Sequence, residues 1–206
     1  MNTKNTAAKR FSLSHLICMA IAVQPLLVSP TVAKGNSSAH QVQEEVIGGK
    51  SYSVARTVIK ARPEQVWQVL ADYSNAPTVF PQLKKCQVLE DRGTTKIVKH
   101  IIEPTGLPGR YEYVLELKET APHAMEWHRL SGNFKEVDGF WKLEPIDGSS
   151  TLVTYSTHVN GGVFLPQTLI KHQFKVDMPA VMVSLKNQAE HTGMQIAQRP
   201  SKSRTE

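Results

Sequence analysis

The feature that most restricts this chain is a change of hydrophobic period partway along it. Between Cys86 and Asn160, six runs have strand character: 86–90, 94–103, 110–119, 123–131, 134–144 and 151–160. Short turn signals separate them, among them Asp91-Arg92-Gly93, Ala121-Pro122, Gly132-Asn133 and Asp147-Gly148-Ser149. Connections that short make consecutive strands antiparallel neighbours, so the segment is a meander. From Pro166 to about Ala189 the spacing becomes three and four, through Leu169, Ile170, Phe174, Met178, Val181, Met182, Leu185 and Ala189. That segment reads as one long helix, with Pro166 in its first turn and Pro179 expected to kink its middle.

Within the meander the alternation assigns faces. Tyr111, Tyr113, Leu115 and Leu117 share one side, opposite Glu112, Glu116 and Lys118. Met125 and Trp127 oppose Glu126 and His128, and Val153, Tyr155, Thr157 and Val159 oppose Thr154, Ser156 and His158. A sheet that is apolar on one face has to cover that face, and the final helix is the available cover. Ahead of the meander, Tyr52–Ile59 reads as a strand rich in β-branched residues. A short helix starting at Pro63 follows, with Val66, Trp67, Val69 and Leu70 on its apolar face, then a second short helix or turn over 73–83. The fold class is therefore α+β: a curved antiparallel sheet of about seven strands around a long C-terminal helix, with two short helices after the first strand.

The N-terminus has another character. Lys4, Lys9 and Arg10 precede a 13-residue apolar run, Leu16–Val28, and Thr31-Val32-Ala33 offers small residues before Lys34. This is the pattern of an export signal, 1–33, and it is shorter than the roughly 20 apolar residues of a membrane span. The protein is accordingly expected outside the cytoplasm, periplasmic or secreted. Cys18 follows Ile17 where a lipid-attachment site has a small residue, and removal of 1–33 leaves Cys86 alone, so no internal disulfide is expected. Residues 34–49 read as a flexible linker, 50–195 as the domain and 196–206 as a polar tail. The +6 charge says little about partners. Three of the basic groups lie in the signal and no acid precedes Glu44, so cleavage halves the excess. No basic stripe interleaved with aromatics is present, and a nucleic-acid partner is not expected.

The residues Ala61-Arg62-Pro63-Glu64-Gln65-Val66-Trp67-Gln68-Val69-Leu70-Ala71-Asp72-Tyr73, Phe80-Pro81, Ser131–Lys135 and Gly139–Pro145 carry a family resemblance. So do Thr154-Tyr155 and Asp177-Met178-Pro179-Ala180 with Leu185 and Ala189. Across roughly 52–191 the chain resembles the START-like or SRPBCC superfamily. It is most similar to the polyketide cyclase/dehydrase group, which also holds the coenzyme-Q-binding START-domain proteins. The resemblance implies a helix-grip fold with an internal cavity. Relatives bind lipids, quinones, sterols or hormones, and some catalyse cyclisation or dehydration in that cavity; fold alone does not choose between them.

Read for chemistry, the chain favours binding over catalysis. The eight histidines show no metal-ligand spacing, and His123 and His128, five apart on one strand, point to opposite faces. No nucleophile elbow or phosphate loop is present, so no catalytic residue, cofactor or metal is assigned. Tyr111, Tyr113, Tyr155, Arg129 and His100 are the strand residues able to move a proton, and the face of His100 is ambiguous. Strand alternation and helical spacing nominate Tyr113, Trp127, Trp141, Tyr155, Phe174, Met178 and Met182 as the wall of an apolar cavity. Soft methionines adapt to varied apolar surfaces. Leu107, Phe164 and Leu165, beside Gly and Pro, are nominated as a movable mouth that allows transient membrane contact. The expected partner is a hydrophobic small molecule or lipid, with cyclisation or dehydration of a polyketide-like substrate as the alternative.

Overall fold

A computed structural model describes residues 41–163 and 165–197. The strands are β1 (Gln43–Ile47), β2 (Lys50–Ile59), β3 (Leu83–Asp91), β4 (Thr95–Ile102), β5 (Tyr111–Thr120), β6 (Ala124–Gly132), β7 (Glu136–Pro145) and β8 (Thr151–Asn160). The helices are α1 (Pro63–Leu70), α2 (Ala76–Val79) and α3 (Gln167–Ala197). All pairs are antiparallel, in the order β1-β2-β8-β7-β6-β5-β4-β3. The meander from β3 to β8 is the expected one, and β2 closes onto β8 through a register that runs from Ser53↔Thr157 to Ile59↔Thr151.

Eight strands replace the expected seven, because residues read as linker form β1. Gly48 and Gly49, both with positive φ (56° and 80°), make the two-residue turn between Ile47 and Lys50. A two-residue hairpin turn of that twist requires positive φ at both positions, which glycine supplies without strain. β1 has no buried face to announce it. It sits at the sheet edge on backbone pairing and charge: Glu45 takes Arg56 at 2.6 Å, and Glu44 takes Lys171 of α3 at 2.5 Å. The domain thus starts at β1, and α3 carries it to Ala197, past the expected boundary at 195. Residues 1–33, with the expected export signal, lie outside the described residues, as do 34–40 of the linker and 198–206 of the tail.

α1 begins on Arg62, whose backbone N–H donates to the Gln65 side chain at 2.8 Å, with Pro63 in the first turn. Val66, Val69 and Leu70 are its buried face; Trp67, expected inside, is half-buried at the flank of that stripe. α3 runs through Pro179 as one helix of 31 residues across the concave face. Its second half, with Met182, Leu185 and Ala189, packs into a core with Ile59, Val66, Leu143 and Val153. The convex face is drier than alternation suggests. Thr154 and Ser156 are buried on β8, a central strand, where Val54 and Phe140 flank Ser156 in register.

Candidate functional site

Along the first half of α3 the interior stays open, leaving a cavity of about 230 Å³ between helix and sheet. The sheet side is built from rings. Trp141 stacks on Tyr155 with centroids 4.2 Å apart, and Trp127 leans on Tyr155 at 6.1 Å. The Trp127 indole lies over its register partner Gly139, where a Cβ would stand 2.4 Å from the ring. Any larger residue at 139 would push that wall inward. Tyr113 meets Phe134 edge-on at 5.6 Å and His100 edge-on at 5.5 Å. Phe174, Met178 and Ile170 face these rings from α3.

Of the seven nominated wall residues, Tyr113, Trp127, Trp141, Tyr155, Phe174 and Met178 lie on this cavity. Met182 does not: it is fully buried one turn further along α3, where the closed core begins. At the mouth, Leu107 is buried on the cavity wall. Leu165 is absent from the wall and packs on the core beside Gly161, because the chain turns inward there to start α3. Phe164 lies outside the described residues. Among the proton-moving candidates, Tyr111 stacks on Phe134 and donates to the Pro108 carbonyl, away from the wall. Arg129 spends its guanidinium on the carbonyls of Gly132 and Lys135 in the turn after β6.

Pairing settles the face of His100. β4 carries apolar residues on both sides, so its own pattern is mute. Register with β5 sets Val98 against Leu115 and His100 against Tyr113, and both partners point inward. Cys86 of β3 stands across from His100 and also lines the cavity. Burial decides the charge state of these groups. It depresses the His100 pKa to about 4, lifts the Cys86 thiol to about 12 and holds Tyr113 well above the usual phenol range. Burial, helped by the charge of Asp177, lifts Tyr155 to about 12.

The mouth is polar where the interior is not. Asp177 of α3 accepts hydrogen bonds from Gln82 (3.2 Å), Thr105 (2.7 Å) and Gln173 (2.7 Å). Gln173 in turn accepts the Gly106 N–H at 3.1 Å, and a Cβ at 106 would stand 2.4 Å from that side-chain oxygen. These bonds tie the segment between β4 and β5, which carries Leu107, to α3. Gln82, Gln173 and His100 are wall residues that hydrophobic pattern alone misses. The one signal for Gln173 and Asp177 is their i, i+4 spacing beside Phe174 and Met178, a polar pair on the apolar face of the helix. Among the described residues, no group of three or more His, Cys, Asp or Glu is placed to hold a metal.

Residues 59–186 match the family described as polyketide cyclase / dehydrase and lipid transport. Solved structures share the fold at low identity. An aromatase/cyclase (Zhui) from Streptomyces sp. R1128 superposes with a TM-score of 0.59 at 14% identity, over 73% of this chain and 97% of that one. A STAR-related lipid transfer protein from Xanthomonas axonopodis gives 0.62 at 17% identity, over 75% of this chain and 96% of that one. A START superfamily protein from Mycobacterium smegmatis gives 0.60 at 16%, over 68% and 97%. No protein of curated function matches the sequence. At these identities the likeness shows the START helix-grip fold, with its large curved sheet and C-terminal helix.

Proposed function

The chain belongs to the polyketide cyclase / dehydrase and lipid transport family, and from that premise we propose that it binds a hydrophobic ligand in this cavity and carries it outside the cytoplasm. The observation that supports binding most directly is the state of the wall. His100, Tyr113, Tyr155 and Cys86 stand among aromatic and aliphatic neighbours, and burial shifts each of them further toward its neutral form. An apolar enclosure with a few neutral polar groups suits a lipid-like or polycyclic guest. An engineered cavity of about 150 Å³ takes a benzene ring; 230 Å³ leaves room for a larger ring system. The support for export is in the sequence: the basic residues before Leu16, the apolar run to Val28 and the small residues before Lys34.

A second reading, cyclisation or dehydration in the same cavity, draws on His100 and Tyr113 sharing one wall. General acid–base work is most efficient with pKa values near the operating pH. Burial moves both of these away from it.

The carrier reading is tested by titrating an apolar fluorescent probe into the full chain. A saturable one-site isotherm is expected. Phe174→Lys or Met178→Lys should weaken it at least tenfold, since an unpaired charge in an apolar site is heavily penalised. Glu126→Lys, on the exposed face of β6, should leave it unchanged. Circular dichroism separates loss of binding from loss of folding. A folded Met178→Lys protein that binds as well as the parent would refute the cavity assignment. Sequencing the N-terminus of exported protein tests the other half, with a start near Lys34 expected and a start at Met1 the contrary result.

A further inference from the structure

Strand register sets five residues in one row across the concave face: Leu117 on β5, Trp127 on β6, Gly139 on β7, Thr157 on β8 and Ser53 on β2. In this row Gly139, Thr157 and Ser53 are small and buried, so little side chain rises from the sheet there. The neighbouring row differs. It runs through Met125, Trp141, Tyr155 and Ala55, and its two rings stack on each other. Trp127 is the one ring in the low row, and it lies down over Gly139.

The depth of that indole is set by what β7 lacks. Along the concave side of β7, Val137, Trp141 and Leu143 are buried side chains, and Gly139 leaves the position among them empty. A Cβ at 139 would stand 2.4 Å from Cζ2 of the indole and 2.6 Å from Cε2, closer than carbon atoms pack. Gly139 itself is not on the cavity wall, and Trp127 and Thr157 are. The indole is also the less braced of the two tryptophans. Trp141 is buried and stacked 4.2 Å from Tyr155, whereas Trp127 is half-buried and meets Tyr155 at 6.1 Å and a 41° tilt. A second wall ring, Tyr113, also stands opposite a glycine, Gly132. There the φ is 124° and a Cβ would meet the Tyr113 Cα at 2.4 Å, so Gly132 serves the backbone and leaves ring depth alone.

We infer that Trp127, seated on Gly139, sets the largest ring system the cavity admits. With the indole flat, the space above the low row is open; with the indole tipped inward, that space is filled. The inference rests on the cavity being a ligand site, as proposed above, and assigns the pair of residues that decides guest size in it. Trp127 acts on the guest directly, and Gly139 is a positioning residue that acts through the indole.

The test compares naphthalene with pyrene, each followed by its own fluorescence, on the full chain and its variants. Affinity for an apolar guest grows with the area it buries while the site has room, so the pyrene-to-naphthalene ratio reads room rather than overall affinity. Trp127→Leu should raise that ratio about tenfold, with naphthalene itself changing by less than about threefold, and Trp127→Phe should raise it by a smaller factor. Gly139→Ala should lower the ratio about tenfold, and the double variant Gly139→Ala/Trp127→Leu should bring it back to the parent value or above. A Cβ at 139 would also stand 2.4 Å from the Ser156 carbonyl oxygen, so this variant has to shift β8 slightly. Melting curves check folding, and where Gly139→Ala does not fold the two Trp127 variants decide. A Trp127→Leu ratio equal to the parent's, or a Gly139→Ala loss that Trp127→Leu does not rescue, overturns the assignment while the cavity stands. If neither probe binds the parent or any folded variant, the carrier reading itself fails and this inference with it.

Discussion

The two halves of α3 cover one sheet with one apolar spacing, yet one half closes a core and the other roofs a cavity. Toward the C-terminus, Met182, Leu185 and Ala189 meet Ile59, Val66, Leu143 and Val153, and every one of these side chains is essentially inaccessible. These aliphatic side chains pack into one another's gaps. Toward the N-terminus, Ile170, Phe174 and Met178 face Tyr113, Trp127, Trp141 and Tyr155. Trp141 stacks on Tyr155, Trp127 tilts against it and Tyr113 meets its neighbours edge-on, so these rings pack on one another along the sheet while a space stays open beneath α3. The closed packing therefore lies at one end of α3 and the proposed binding space at the other.

The largest effect that separates the ends is expected at Leu185. Leu185→Ala should cost about 2–5 kcal/mol in a urea titration, as truncations in closed cores do, with probe affinity of the folded protein unchanged. Phe174→Ala removes a larger side chain but only enlarges an existing space, so it should cost less than Leu185→Ala while weakening the probe. Equal stability losses at the two positions would break the comparison.

The next effect is in pH. The folded-state pKa of His100 is about 4 against 6.5 for the free group. As pH falls the unfolded chain takes the proton first, so the neutral histidine's contribution is full above pH 6.5 and is lost between 6.5 and about 4. The loss should approach roughly 3 kcal/mol. Carboxylates titrate near the bottom of that window, so the informative quantity is the difference from His100→Phe, whose stability should lack this decline. Parallel stability profiles for parent and variant would place His100 in contact with bulk water.

The smallest effect concerns the mouth. Thr105→Val removes one of the three bonds to Asp177 and should cost about 1 kcal/mol. Because that bond ties the Leu107 segment to α3, stopped-flow release of the probe should quicken at little change in the closed end's hydrogen-exchange protection. An unchanged release rate would show that the mouth does not depend on this tie.

How legible all this is from sequence differs by element. The long helix and strands β5, β6 and β8 could be read from their own period, and β3, β4 and β7 from strand-like runs set between turn signals. β1 could not, since an edge strand held by Glu44, Glu45 and backbone pairing has no apolar face; Gly48-Gly49 was its only signal, and that is also how linkers end. The aromatic wall residues were legible because alternation assigns faces. Met182 was misplaced because helical spacing says which side of α3 faces the sheet and not how far the sheet lies from it.

Sequence by itself determined the α+β class, the order of elements, the apolar face of the sheet and the helix that covers it. These follow from local periodicity, which is a property of neighbours in the chain. Tertiary structure alone decided where the core ends and the cavity begins, that His100 points inward, and that Gln82, Gln173 and Asp177 gather at the mouth. Each of those depends on strand register and on the distance between α3 and the sheet. Both are set by the volumes of side chains far apart in sequence that meet only when the chain has folded.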